Sequence, residues 1–90
     1  MSEKIIIESL AMDLKRVALG LQRGSLKMAN RFKEEALKRE NELEKYHLND
    51  YLQKLLQRVK EILKRGGEKT AEDALMYSVL FQNFARKNFK

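Results

Sequence analysis

Gly20-Leu21-Gln22-Arg23-Gly24-Ser25 decides how many helices this chain has. A helix can end at a glycine and another can start at a serine cap. Read that way, the six residues are a turn. Read the other way, they are the middle of one long helix, with two interior glycines costing about 2 kcal/mol relative to alanine.

The flanking pattern favours the long helix. Ile7, Leu10, Leu14, Val17, Leu21, Met28, Phe32, Ala36, Leu43 and Tyr46 fall on one helical wheel within a sector about 100° wide. Arg39 is the main interruption. Two helices joined by a loop need not keep phase, and here the phase passes through both glycines. The expectation is one helix over about 4–46, roughly 65 Å long at 1.5 Å per residue. If the chain turns at Gly20–Gly24 instead, four short helices can close into an antiparallel bundle.

The rest of the chain is easier to divide. A middle helix spans about 50–65, opened by Asn49 or Asp50, with Asp50 and Gln53 at capping-box spacing. Leu52, Leu55, Leu56, Val59, Ile62 and Leu63 make its single apolar stripe. Gly66-Gly67 then breaks the chain. A last helix covers about 70–87, with Thr70 as N-cap and Glu72 and Asp73 in its first turn, where the helix dipole favours negative charge. From Ala74 to Ala85 it carries no charge. Its apolar residues point nearly all round, the pattern of a helix covered on more than one side.

The fold class is therefore all-α, one antiparallel bundle in a single domain over 1–90. It has three helices if the first is continuous and four if the chain turns. Ninety residues give a thin core, burying only about 60–65% of the unfolded surface. In the three-helix form the two later helices, about 24 and 28 Å long, leave part of the first helix bare. A homodimer covering Leu10, Leu14, Val17 and Leu21, together with Phe81 of the last helix, is the expected solution.

Composition narrows the function classes. There is no cysteine, which excludes disulfides and thiolate metal sites and suits a reducing cytoplasm. No apolar run approaches the roughly 18–20 residues of a membrane span. Ile5-Ile6-Ile7 is too short for the core of a signal peptide. The expected setting is soluble and cytoplasmic, with no membrane partner.

The net charge is +6, and it is unevenly placed. Lys15, Arg16, Arg23, Lys27, Arg31 and Lys33 follow one another with no acid between. Arg16, Arg23, Lys27 and Arg31 share a narrow sector of the wheel opposite the apolar stripe. Such a stripe can track a phosphate backbone. It is also what an ordinary solvated helix face looks like, and it has no interleaved aromatics for base stacking. After it, Glu34–Lys38 and Glu35–Arg39 are favourable i, i+4 pairs. In an antiparallel dimer the basic and mixed regions could face each other and set the register.

Catalytic readings are weaker. Glu44-Lys45-Tyr46-His47 has the Glu-x-x-His spacing of di-iron bundles, but the chain holds one histidine where two such pairs are needed. Nothing places Ser2, Ser9, Ser25 or Ser78 beside that histidine as a nucleophile. Gly20-x-x-x-Gly24 lacks the lysine and hydroxyl of a phosphate loop. Its small residues, with Ser25 and Ala29, suit a close helix–helix crossing instead. The expected function is a non-catalytic interaction or assembly module acting as a homodimer, without cofactor or metal. An accessory nucleic-acid-binding protein using Arg16, Arg23, Lys27 and Arg31 is the alternative.

Overall fold

The computed structural model describes residues 2–67 and 69–89. It has four helices: α1 (Glu3–Gln22), α2 (Leu26–Leu43), α3 (Asp50–Arg65) and α4 (Thr70–Asn88). The bundle measures 36 × 21 × 20 Å. Among the described residues there is no strand, and no helix is long and apolar enough to cross a membrane.

The long first helix is corrected: the chain turns. Gly24 takes a left-handed φ of 74°, which a side chain would resist. The Ser25 N–H donates to the Gly20 carbonyl at 2.8 Å and the Gly24 N–H to the Leu21 carbonyl at 3.2 Å. Together these satisfy two of the four carbonyls that the end of α1 would leave open, in the Schellman arrangement. Ser25 then opens α2, its Oγ accepting from the Met28 N–H at 3.2 Å. One serine thus closes one helix with its backbone and starts the next with its side chain.

Gly20 does something different. A Cβ placed on it would lie 2.7 Å from the Ala29 nitrogen and 3.1 Å from the Ala29 Cα. Here α1 and α2 touch backbone to backbone. The close crossing expected from the small residues is present, formed by Gly20 and Ala29, while Gly24 has open space around it.

The turn overturns the reason for the expected dimer interface. Leu10, Leu14, Val17 and Phe81 are all buried within the single chain, in the same core as Leu43, Leu52, Val59 and Leu63. Leu21 is half-buried and packs against that core. None of the four buried side chains is available to a second copy. α1 is the central element, packed against both α2 and α4, while α3 lies along α4 and touches the end of α2. Ser78 of α4 fastens the first and last helices, its Oγ donating to the Ala11 carbonyl at 2.8 Å.

Smaller expectations shift as well. Asn49 caps α3, accepting from the Leu52 N–H at 2.8 Å. Gln53 reaches back to the Leu48 carbonyl at 2.9 Å rather than to the cap. Lys69 stands at the N-cap of α4, and Thr70 is buried one position inside, its hydroxyl without a partner. Lys38 pairs with Glu35 at 3.6 Å, one residue closer than the expected i, i+4 contact. Arg39 turns to Glu42 at 3.1 Å and faces Asp13 of α1.

Candidate functional site

Three places on the bundle carry chemistry that packing alone does not use up. The first is the basic face of the α1–α2 hairpin. Arg16, Arg23, Lys27 and Arg31 are all exposed. Arg23 caps the end of α1 and Lys27 lies in the first turn of α2, so both sit at the hairpin tip. Arg16 and Arg31, from different helices, lie over the same ring: their guanidinium carbons are 5.1 and 5.4 Å from the centre of Phe32. Cation–π attraction at such distances holds both charges in place.

Phe32 went unnoticed as part of this face because its helical phase assigned it to the core stripe. Among the described residues only Arg16 of these four cations has a carboxylate beside it, Asp13 at 3.7 Å. Asp13 is itself buried. Burial raises its carboxyl above the usual range, while Arg39 and then Arg16 pull it down. Its Oδ2 and the Arg39 Nε face each other at 3.9 Å, and neither makes a hydrogen bond.

The second place is a cleft of about 170 Å³ where α2 meets α3, lined by Glu40, Glu44, Gln53, Gln57 and Lys60. Glu44 accepts from Lys60 Nζ at 2.9 Å, and His47 is exposed. Glu40 is only 2% exposed, and its Oε1 has no hydrogen-bond partner. Burial pushes its carboxyl up to about 7, against the opposing pull of Lys60. A carboxyl poised there could exchange protons near neutral pH. The cleft brings it no nucleophile and no histidine. Among the described residues no group of three histidine, aspartate or glutamate side chains could hold a metal ion.

The third place is the outward side of α4. Leu75, Met76 and Val79 are 40%, 49% and 48% exposed. The helix is packed on α1 and α3, as its all-round apolar pattern requires, but its third side is open. Exposed Met12 of α1 lines a separate cleft between α1 and α4 with Glu8, Ala11, Lys15, Ser78 and Gln82. The apolar count of α4 was legible in the sequence. The cleft that Met12 lines was not, because it depends on how α1 lies against α4. The chain matches no family model, and no curated protein or solved structure matches it.

Proposed function

We propose that this chain is a non-catalytic helical module whose activity is association, and that it works as a homodimer through the outward side of α4. The observation that carries this reading is the exposure of Leu75, Met76 and Val79 in two consecutive turns of a helix whose opposite side is already buried. Leaving such side chains in water costs roughly 25 cal/mol for each Å² of apolar area that a partner would cover. Contiguous apolar surface of this kind marks interaction sites in soluble proteins. The dimer expected from the sequence is kept, but its surface is moved from Leu10, Leu14, Val17 and Phe81 to the opposite face of the last helix.

Sedimentation equilibrium tests this directly. The wild-type chain is expected to dimerise in the micromolar range, and Val79→Glu to remain monomeric with an unchanged circular dichroism spectrum. Val79 is half exposed, and glutamate is a good helix former, so the variant leaves the core intact. A wild-type monomer at roughly 100 μM, where even a weak specific dimer would populate, rules the proposal out.

One observation favours a second reading, an accessory nucleic-acid-binding role. Phe32 gathers Arg16 and Arg31 onto one part of the hairpin whose tip carries Arg23 and Lys27. Cations held this way are prepared for phosphate oxygens. Duplex DNA of random sequence should then bind with strong salt dependence. Replacing Arg23 and Lys27 with alanine should lower the slope of log K against log salt by about 2, since each lost phosphate contact removes about 0.9. An unchanged slope, or no binding at low salt, excludes this role.

A further inference from the structure

We propose that two copies of the chain pair through antiparallel α4 helices, with the two-fold axis at Val79 and Glu72 of each copy facing Arg86 of the other. This rests on the homodimer reading above and adds the register. The argument starts from spacing. Glu72 lies seven residues before Val79, and Arg86 seven residues after it. Seven residues are close to two helical turns, so all three side chains share one side of α4. All three are exposed, as are Leu75, Met76, Gln82 and Asn83 between them.

This side therefore carries opposite charges at its two ends, equally far from Val79, with the apolar Leu75 and Met76 toward the negative end and the amides Gln82 and Asn83 toward the positive end. A surface with that pattern is complementary to itself under a two-fold rotation, which is what an isologous interface needs. Antiparallel pairing about Val79 sets Val79 against Val79, Leu75 against Asn83, Met76 against Gln82, and Glu72 against Arg86, twice over. Parallel pairing sets Glu72 against Glu72 and Arg86 against Arg86, and like charges directly opposed are unfavourable.

Asp73, one position from Glu72, is held by Arg65 of α3 at 3.4 Å. Among the described residues neither Glu72 nor Arg86 has an ion-pair partner. Glu72 and Arg86 are thus both free on the open side of the helix, and so among these residues is Lys87, beside a cleft with Asn49 and Tyr51, while Asp73 is committed to α3.

A charge-reversal cycle tests the register. Glu72→Arg and Arg86→Glu, made singly, should each weaken the dimer about tenfold, because each turns two symmetry-related attractions into repulsions. The double variant should return to within about twofold of wild type, since the pairs are restored with their signs exchanged. The absence of cysteine allows a second measurement on the same protein. Leu75→Cys protein mixed with Asn83→Cys protein should oxidise mainly to the 75–83 disulfide-linked heterodimer. A dimer that loses nothing with Glu72→Arg, or that oxidises mainly to 75–75 and 83–83 links, overturns the register while leaving the homodimer in place. A monomeric wild type overturns both.

Discussion

Replacing Gly20 with alanine is expected to lower the free energy of unfolding by about 2–3 kcal/mol, the upper range for overpacking a well-fitted contact. The new methyl would meet the Ala29 nitrogen at 2.7 Å, its Cα at 3.1 Å and its Cβ at 3.2 Å. Two of those atoms are backbone, so no side chain can rotate away, and α2 must lift off α1. The sign of the effect is the informative part. In an uninterrupted helix the same change would stabilise the protein by about 1 kcal/mol, because alanine is the better helix former. Gly24→Ala provides the contrast: nothing lies within 4 Å of its missing Cβ, but φ is 74°. It should cost about 1–2 kcal/mol from the left-handed backbone alone. Urea unfolding of both variants measures this, and a stabilised Gly20→Ala protein would mean that the helices do not meet at this point.

Glu40→Gln is expected to raise stability at pH 8 by about 3 kcal/mol and to change it little at pH 4, following the energy of a shifted titration. The Glu40 carboxyl sits at about 7 in the folded protein against an ordinary 4.5. Below 4.5 the group is protonated in both folded and unfolded chains, and its ionisation costs nothing. Between 4.5 and 7 the unfolded chain gives up its proton first, so stability falls as pH rises. Above 7 the penalty is complete. Lys60 relieves part of it and Glu44 adds to it, but Lys60 is hydrogen-bonded to Glu44 rather than to Glu40. Asp13, also raised by burial, contributes a slope of the same sign. Urea midpoints across this range should therefore decline with pH in the wild type and decline less in Glu40→Gln. Parallel curves would show that Glu40 keeps an ordinary carboxyl.

The helices after Asn49 were legible because their signals are local. The six apolar residues of α3 form one stripe, and all six are buried. Gly66-Gly67 ends that helix with φ values of 66° and 108°. The first half of the chain misled for a specific reason. Beyond the turn the phase rested on Met28, Phe32, Ala36, Leu43 and Tyr46, yet only Ala36 and Leu43 are buried, Met28 and Phe32 are half-buried and Tyr46 lies beyond the end of α2. The residues that α2 buries are Ala29, Ala36, Glu40 and Leu43. A hydrophobicity pattern underweights alanines and skips a glutamate, so the true stripe was hidden beside a false one. Ser25, the cap on which only the four-helix alternative rested, was the better witness.

The candidate surfaces divide in the same way. Arg16, Arg23, Lys27 and Arg31 were identifiable as a group because charge can be counted along the chain. That Phe32 would carry two of them required knowing that α1 and α2 lie side by side. Leu10 and Leu14 were assigned to an interface because a three-helix chain had nothing else to cover them. Once α2 folds back and α4 docks, they become core.

The hydrogen bond from Ser78 to the Ala11 carbonyl joins positions 67 apart in sequence. The α1–α2 hairpin, by contrast, closes through a three-residue connection. Loop-closure entropy makes the first contact slow to form and the second fast. A chain emerging from the ribosome therefore completes its hairpin while the α4-facing side of α1 is still bare. That side stays open until α4 has been made. The vulnerable period for this protein lasts from the completion of the hairpin to the docking of α4, and chaperones or an already folded copy would meet the apolar flank of α1 before α4 does.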